Sequence, residues 1–254
     1  MEQGAPSPAF SAEPPFPPLR ELRLWFDPHP SRGYANMAAD ELLMRDSAPW
    51  LRVYDWARPA VSYGYFDRAE EARRLFPAAE EYIRRWTGGG IVDHRRGQTY
   101  TLTLPKRADG AVYPEAAVLY QWIHGALAQA LAAHGVPCSL LAADAPSGGR
   151  ACWASPVCSD ITDAAGHKLA GAGQRRHGGA VLHQGLIQDC SPTEGWALDL
   201  AHGLAERVTV LQSAEPYPGF DAQLAQLCRE KYDSPAWSTE TDNGRRHPVE
   251  RVDK

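Results

Sequence analysis

The fold is decided by the stretch Arg84-Arg85-Trp86-Thr87-Gly88-Gly89-Gly90-Ile91-Val92-Asp93-His94. Three consecutive glycines give up side-chain packing and cost stability, so they occur where the backbone must approach something closely or take a positive φ. Their N–H groups can cradle an anion, and the two arginines before them add positive charge. The stretch therefore predicts a loop for a phosphate or carboxylate ligand. A glycine-rich hairpin turn is the alternative interpretation.

The segments on either side of the glycines are predicted to be strands. Residues 82–85 lead straight into the loop, and residues 99–104 alternate polar and apolar side chains and are predicted to be the return partner. The loop would then join two strands. Dinucleotide and P-loop motifs instead join a strand to a helix, and no Walker A lysine is present. The sequence excludes both of these nucleotide-binding motifs.

The second half of the chain has a second glycine-rich cluster, centred on Lys168. An ammonium group in an apolar strand is expensive to bury alone, so we expect an anion or a carbonyl to meet it. Asp160 is a candidate partner, or a ligand for a divalent cation beside a nucleotide. Gly171 and Gly173 leave room for a close-fitting ligand. The alternative places Lys168 on the solvent face of an alternating strand.

Length, composition and charge bound the class of protein. The chain has 254 residues, 44% hydrophobic and 22% charged, enough for one large domain or a domain with a small appendage. The net charge of −5 argues against a general nucleic-acid binder. Its arginines are nevertheless clustered, which suits a small anionic ligand or an acidic partner domain; the clusters are Arg84, Arg85, Arg95 and Arg96, and Arg175 with Arg176.

Cysteine usage and the lack of a long apolar run predict a reduced, cytoplasmic protein with no membrane partner. The five cysteines have no CxxC spacing, so neither a disulfide framework nor a zinc site is indicated. We find no signal-peptide pattern near the N-terminus and no stretch near the roughly 20 apolar residues of a membrane span.

Hydrophobic periodicity predicts an α+β domain with a mixed, mostly antiparallel sheet flanked by helices. Strands are expected at 22–26, 51–56 and 60–66, and two or three antiparallel strands within 152–190. Helices are expected at 36–44 (with Asn36 as a possible N-cap), 68–75, 114–135, 193–210 and 219–231. Residues 138–151 are predicted to form a loop, either one that closes over a ligand or a plain surface loop. Residues 1–18 and 232–254 are predicted to be disordered.

Four motifs in the same order resemble the family of lipoate–protein ligases and octanoyltransferases, which share a catalytic domain with biotin–protein ligases. The motifs are Asn36 to Glu41, Pro59 to Phe66, Arg84 to His94, and the group formed by Asp160, Lys168 to Arg175 and Leu182 to Gly185. The resemblance implies the biotin/lipoate ligase catalytic fold for residues 19–212. Residues 213–254 would be a polar extension with one helix.

The resemblance also implies roles for individual residues. Lys168 would be catalytic and contact the acyl carbonyl or a phosphate, and Asp160 would lie in the nucleotide and Mg²⁺ region. The acyl or acyl-adenylate pocket would be formed by Arg84, Arg85, Thr87, Gly88, Gly89, Gly90, His94, Gly171, Gln174 and His183. His183 could equally be a structural histidine.

Two mechanisms fit this resemblance. A ligase uses ATP and Mg²⁺ to make an acyl-adenylate of lipoate or octanoate, and then acylates a lysine of a lipoyl carrier domain. An octanoyltransferase takes its acyl group from acyl carrier protein through a cysteine thioester, and Cys152 in Cys152-Trp-x-x-Pro156 is the candidate nucleophile. An inert core cysteine is the alternative role.

The two arginine pairs bear on the choice between these mechanisms in opposite ways. Arg175-Arg176 resembles the ligase-like branch, so we expect a ligase. Against this, residues 94–98 replace the common ligase pattern His-Asp-x-Gly-Asn with His-Arg-Arg-Gly-Gln. A non-catalytic homologue that binds lipoate or a nucleotide is a further alternative. Biotin ligation is disfavoured because its basic Gly-Arg-Gly-Arg loop is missing.

Overall fold

A mixed β-sheet with helices on both faces is the frame of this protein, described here from a computed structural model for residues 16–144, 156–189, 193 and 195–239. The strands are β1 (Leu22–Phe26), β2 (Trp50–Tyr54), β3 (Ala60–Tyr63), β4 (Glu81–Arg84), β5 (Val92–Asp93), β6 (Gln98–Leu104), β7 (Ser139–Leu140), β8 (Ile161–Thr162), β9 (Lys168–His177), β10 (Ala180–Ile187) and β11 (Val208–Leu211). The helices are α1 (Gly33–Arg45), α2 (Ala69–Leu75), α3 (Ala116–Ala133), α4 (Trp196–Leu204), α5 (Phe220–Leu227) and α6 (Pro235–Thr239), with a π-helical turn at Cys228–Tyr232.

The strands form two sheets within the described residues. The main sheet has eight strands in the order β11-β1-β2-β6-β10-β9-β8-β7, and a second sheet has the order β4-β3-β5. Only β11, β1 and β2 are parallel in the main sheet, while β3 pairs with β4 in parallel in the small one. The predicted α+β class with a mixed, mostly antiparallel sheet is confirmed.

Strand β1 shows how the two faces of the main sheet are covered. Successive side chains of a strand point to opposite faces. Leu22 and Leu24 join the cluster that α3 and α4 cover, while Trp25 joins the cluster that α1 and α5 cover. The sheet is therefore buried between two helical layers.

The N-terminus of α1 is capped from a distant strand. The Glu81 carboxylate accepts the Gly33 N–H at 2.8 Å and also pairs with Arg32, so an anion lies at the positive end of the helix. The predicted N-cap at Asn36 is wrong, because the helix begins three residues earlier. Asn36 is buried, and its amide donates to the carbonyls of Ser31 and Asp55.

The predicted pairing of the strand before the glycines with residues 99–104 is also wrong. Strand β4 pairs with β3 in the small sheet, whereas β6 lies between β2 and β10 at the centre of the main sheet. Six of its seven residues are buried, so β6 needs a neighbour on each side and cover on both faces. The glycines thus connect β4 to β5 within the small sheet, and residues 94–97 lead from β5 to β6 in the main one.

Two predicted segments end differently in the structure. The helix expected at 193–210 ends at Leu204, and Val208–Leu211 forms β11 beside β1. The run Val-Thr-Val-Leu is rich in β-branched residues, which favours a strand. In the loop expected at 138–151, Ser139–Leu140 forms β7. Residues 145–151 of that loop lie outside the described residues.

Both ends of the chain contribute more to the core than composition suggests. Phe16, predicted to be disordered, is 6% exposed and packs on Trp122 of α3. At the other end, α6 belongs to a segment predicted to be disordered, yet the Trp237 Nε1–H donates to the Arg84 carbonyl at 3.1 Å. Residues 1–15 and 240–254 lie outside the described residues.

Helix α5 is expected to be an essential part of the fold, although it belongs to the predicted polar extension. Phe220 is 2% exposed, with its ring 5.6 Å from that of Trp25. We expect Phe220→Ala to lower the free energy of unfolding by about 3–5 kcal/mol, the usual cost of a cavity left by phenylalanine. Urea denaturation measures the loss. Phe66→Ala is the matched control, because Phe66 is 76% exposed; equal losses in both variants would contradict the expectation.

Candidate active site

The glycine loop, residues 87–90, lies between the end of β3 and the middle of β9. A Cβ atom on Gly64, just after β3, would lie 2.0 Å from the Gly89 carbonyl oxygen, and one on Gly173 would lie 2.5 Å from that of Gly88. Gly89 itself has φ of +98°, a left-handed conformation that favours glycine. The close backbone approach predicted from the glycines therefore occurs. On these two sides, the group that approaches the loop is backbone of the protein itself.

Arg85 holds the glycine loop from within. Its Nη2 donates to the carbonyl oxygens of Gly90 at 2.9 Å and Gly88 at 3.3 Å, and its Nη1 donates to the Ser62 hydroxyl at 2.6 Å. The same hydroxyl lies 2.6 Å from His94 Nε2. The arginine is 5% exposed, so its charge is held in a fixed position beside the loop.

A second set of hydrogen bonds ties the loop to the main sheet. The Thr87 hydroxyl donates to Gln184 Oε1 at 2.8 Å, and Gln184 Nε2 donates to Asp40 Oδ2 at 2.7 Å. Asp40 also pairs with the buried Arg52 at 2.8 Å. The loop is thereby connected to β10, α1 and β2.

Lys168 and Asp160 form a buried ion pair at the start of β9. The Nζ–Oδ2 distance is 2.8 Å, and the two side chains are 2% and 0% exposed. The predicted pairing is confirmed, and the alternative that Lys168 faces solvent is wrong. A Cβ on Gly171 would lie 2.5 Å from Lys168 Nζ, so this glycine makes room for the lysine. The pair is surrounded by protein and makes a strong local field, because burial reduces screening.

An open cavity lies between the two glycine-rich segments. Four predicted site residues line it, namely Arg85, Gly89, His94 and Gly171, and Met37 and Leu186 supply apolar wall. This mixture of apolar wall with a few polar groups is typical of small-molecule sites. Lys168 lies directly behind the wall at Gly171.

The other predicted site residues occupy different places. Thr87, Gly88 and Gly90 shape the loop, and Gln174 contacts His183 rather than the cavity. Arg84 is directed away from it, because its Nη2 donates to the Tyr65 carbonyl at 2.6 Å and its Nη1 to that of Trp237 at 3.3 Å. Cys152 lies outside the described residues, and its catalytic role stays a prediction.

Three histidines near the site are held neutral by burial. Burial lowers the pKa of His94 to about 3, with the Arg85 charge adding to the effect, and lowers that of His124 to about 4. His183 is fully buried, and burial lowers its pKa well below the usual value. It lies 3.1 Å from Gln174 Nε2 and 3.3 Å from the Tyr100 hydroxyl, as a structural histidine would.

The stability of the protein is expected to fall as the pH is lowered from about 6.5 towards 4, the interval in which unfolded histidines bind protons. Native His124 stays neutral until about pH 4, so the unfolded state binds more protons above that value. Such a histidine contributes a slope of about 1.4 kcal/mol per pH unit. Urea unfolding at pH 7, 6 and 5 measures it. His124→Asn should reduce the slope, whereas His202→Gln, on the exposed face of α4, should not.

The contacts of Asp160 do not fit a magnesium ligand. Oδ2 accepts from Lys168 Nζ and from the Val157 N–H, both at 2.8 Å, and Oδ1 accepts from the Tyr120 hydroxyl at 2.6 Å. A cation bound here would face a buried ammonium. Among the described residues, no group of three or more His, Cys, Asp or Glu side chains is placed to hold a metal ion. The metal role predicted for Asp160 therefore gains no support.

Several residues of the site were not singled out by the sequence. Ser62 and Gln184 lie inside the recognised motifs, but their side chains are uncharged and stand among more distinctive neighbours. Tyr120 lies in the helix predicted at 114–135, and apolar spacing does not reveal which group its hydroxyl contacts. Their roles depend on contacts between segments that are distant along the chain.

Comparison with known proteins identifies the family. Residues 32–192 match the model of the lipoyl protein ligase A/B catalytic domain. The chain belongs to this family, and the resemblance seen in the motifs is confirmed.

Individual relatives agree with the family assignment. The chain is 35% identical over 173 residues to the octanoyltransferase LipM of Moorella thermoacetica, a match that covers 61% of this chain and 60% of the relative. It resembles the T. acidophilum protein Ta0514 solved with bound lipoic acid, with a TM-score of 0.63, 19% identity and coverage of 87% and 98% of the two chains. A bi-partite lipoate protein ligase from Thermoplasma acidophilum gives a TM-score of 0.57 at 18% identity, covering 91% and 99%. The structural matches confirm the predicted fold.

Two further facts concern the coverage of the match and the length of the helices. The matched region spans about 60% of the length of the first curated relative. Within the described residues, every helix is too short or too polar to cross a bilayer.

Proposed function

We propose that this protein is an acyl-attaching enzyme of protein lipoylation that transfers an octanoyl group to a lysine of a lipoyl carrier domain. The observation that carries the proposal is the buried Lys168–Asp160 pair behind the glycine-lined wall of the cavity. A fixed positive charge beside a largely apolar cavity suits an acyl group whose carbonyl gains negative charge during transfer. The acyl chain would lie against Met37 and Leu186.

The relatives support a transferase as the form of this activity. The curated matches carry the name octanoyltransferase LipM, and the first of them is 35% identical. We therefore place the transferase ahead of the ligase that the Arg175-Arg176 pair favours. Neither arginine of the second pair is directed at the cavity: Arg175 lies over the rings of Tyr65 and Trp86, and Arg176 donates to the Tyr113 carbonyl at 3.2 Å.

The proposed reaction needs only groups that the chain and its two substrates supply. The Cys152 thiolate attacks the thioester carbonyl of octanoyl-acyl carrier protein, the carrier thiol leaves, and an octanoyl–Cys152 thioester remains. The ε-amine of the acceptor lysine then attacks this thioester and releases a proton to solvent, and Cys152 leaves as a thiolate. Lys168 stabilises the oxyanion in both steps, and its charge also favours the thiolate.

A ligase remains the second candidate, because the solved relatives include a lipoate protein ligase. That reaction requires ATP and Mg²⁺ for an acyl-adenylate. The Arg95-Arg96 pair beside His94 would be the replacement for the usual acid of the ligase pattern. Arg95 is already paired with Asp93 at 2.7 Å, which leaves less charge for a phosphate.

One set of assays separates the candidates. Purified protein is mixed with a lipoyl carrier domain and either octanoyl-acyl carrier protein, or lipoate or octanoate with ATP and Mg²⁺, and carrier acylation is followed by mass spectrometry. We expect modification from octanoyl-acyl carrier protein without ATP, lost in Cys152→Ser and kept in Cys158→Ser, whose cysteine is exposed. Strictly ATP-dependent acylation that survives Cys152→Ser would support the ligase. If the protein showed neither activity, a non-catalytic binding homologue would be favoured.

A further inference from the structure

The hydroxyl of Tyr120, on α3, links the ion pair to the cavity wall. We propose that Tyr120 is a positioning residue that fixes the Asp160 carboxylate and thereby the place of the Lys168 ammonium. Catalytic relevance of this role rests on the proposed function. The geometric part of the proposal, that Tyr120 sets the position of Lys168, is independent of it.

The hydroxyl makes two hydrogen bonds whose directions are unambiguous. The backbone N–H of Ala172 can only donate, so the hydroxyl oxygen accepts it, at 2.9 Å. The single hydroxyl hydrogen then points to Asp160 Oδ1, at 2.6 Å. Ala172 lines the cavity and follows Gly171, so one group joins the carboxylate to the wall.

Burial keeps this arrangement in one protonation state. Burial and the nearby Asp160 charge raise the pKa of Tyr120 well above its usual value, so the phenol stays neutral and keeps its hydrogen. The carboxylate thus has a fixed donor on Oδ1, and Oδ2 is left for Lys168 and the Val157 N–H. Each oxygen therefore has a defined partner, and the carboxylate has one orientation.

Helix α3 makes a second contact with the turn that carries Asp160. His124 is one helical turn after Tyr120, on the same face, and the two rings are 4.0 Å apart. Its Nδ1 donates to the Ser159 carbonyl at 2.7 Å. Ser159 has φ of +69°, a strained conformation for a residue with a side chain, which persists where its surroundings fix it. Two side chains of one helix face therefore hold two consecutive residues of the site.

Removal of the hydroxyl alone tests the proposal. In Tyr120→Phe the ring and its contact with His124 stay, whereas Asp160 loses a donor and the Ala172 N–H loses its acceptor. We expect kcat for octanoyl transfer to fall roughly 10- to 100-fold, as small misplacements of reacting groups do, while KM for the acyl donor changes less than about threefold. Tyr113→Phe is the matched control: its hydroxyl donates to the Pro105 carbonyl at 2.9 Å, and its residue is 7% exposed.

A second measurement reads the position of Lys168 without any turnover. Competitive labelling with a trace of acetic anhydride, followed by peptide mass spectrometry, gives the relative reactivity of each lysine. We expect reactivity at Lys168 to rise severalfold in Tyr120→Phe and to stay at the wild-type level in Tyr113→Phe. Lys106, which is exposed, provides the internal reference.

The outcomes separate this proposal from the proposed function. An inactive wild-type protein would count against the octanoyl-transfer function, and labelling would still decide the positioning role. Unchanged Lys168 reactivity in Tyr120→Phe would overturn that role, whatever happens to kcat. The role would also be overturned if kcat of Tyr120→Phe matched that of Tyr113→Phe. The same holds if Tyr120→Phe lost activity only in proportion to its loss of folded protein.

Discussion

Replacing Lys168 with alanine is expected to slow acyl transfer by about 100- to 1,000-fold, the effect typical of removing one group that stabilises an oxyanion. The ammonium is the charge next to the cavity wall at Gly171, and its place is fixed by Asp160 at 2.8 Å. The rate of octanoyl transfer to the carrier domain measures the effect. Lys106→Ala, which removes an exposed lysine, should leave the rate unchanged. A Lys168→Ala protein of normal activity would contradict the site described here.

The same substitution is expected to destabilise the fold, and a double variant separates the two effects. Lys168→Ala leaves the Asp160 carboxylate buried without its cation, which costs about 3–5 kcal/mol. Lys168→Met combined with Asp160→Asn removes both charges, so most of this stability should return. Activity should not return, because the positive charge is still missing. Recovery of activity in the double variant would show that Lys168 matters only for stability.

Gly64→Ala is expected to have the second large effect, although Gly64 is not one of the glycines in the loop. Its new Cβ would lie 2.0 Å from the Gly89 carbonyl oxygen, a contact that backbone must relieve by moving. Overpacking of this kind costs about 1–3 kcal/mol, and displacement of a cavity wall by about 1 Å can reduce catalysis about 100-fold. Thermal unfolding and the transfer rate together measure the result.

Gly125→Ala is the matched control for this substitution. Gly125 lies inside α3, and a Cβ there would have no atom within 4 Å beyond its chain neighbours and helix backbone. Because alanine is a better helix former, the variant should gain about 0.5–1 kcal/mol of stability and keep its activity. If Gly64→Ala behaved like Gly125→Ala, the tight contact between β3 and the glycine loop would be wrong.

The sequence predicted the elements of the site that depend on local chemistry. An ammonium between glycines in an apolar strand requires an anion, and Asp160 is an acidic residue close to it in the sequence. The structure confirms the pair. Which strands pair is a different kind of question. The partner of β6 is decided by segments more than 40 residues away along the chain, and local alternation carries no information on it.

Arg84 and Arg85 show a finer distinction that the pattern contained. Successive residues of a strand point to opposite faces, so two neighbouring arginines at the end of β4 could not both reach the cavity. Arg85 lines it, and Arg84 binds Trp237 and Tyr65 on the other side. Tertiary packing decides which of the two arginines points to the cavity. The contribution of the C-terminal segment was hidden for the same reason, since its polar composition conceals a few large buried side chains.

The contacts of Gly64 and Gly173 with the glycine loop also limit how this pocket can be redesigned. At two of its boundaries backbone packs on backbone, so substitutions there would destabilise the protein and displace the cavity wall rather than change the substrate range. The adjustable part of the pocket is the side-chain wall formed by Met37, Val92 and Leu186. For the proposed acyl substrate, efforts to admit longer or branched chains should therefore trim these three side chains and leave both glycine-rich segments untouched.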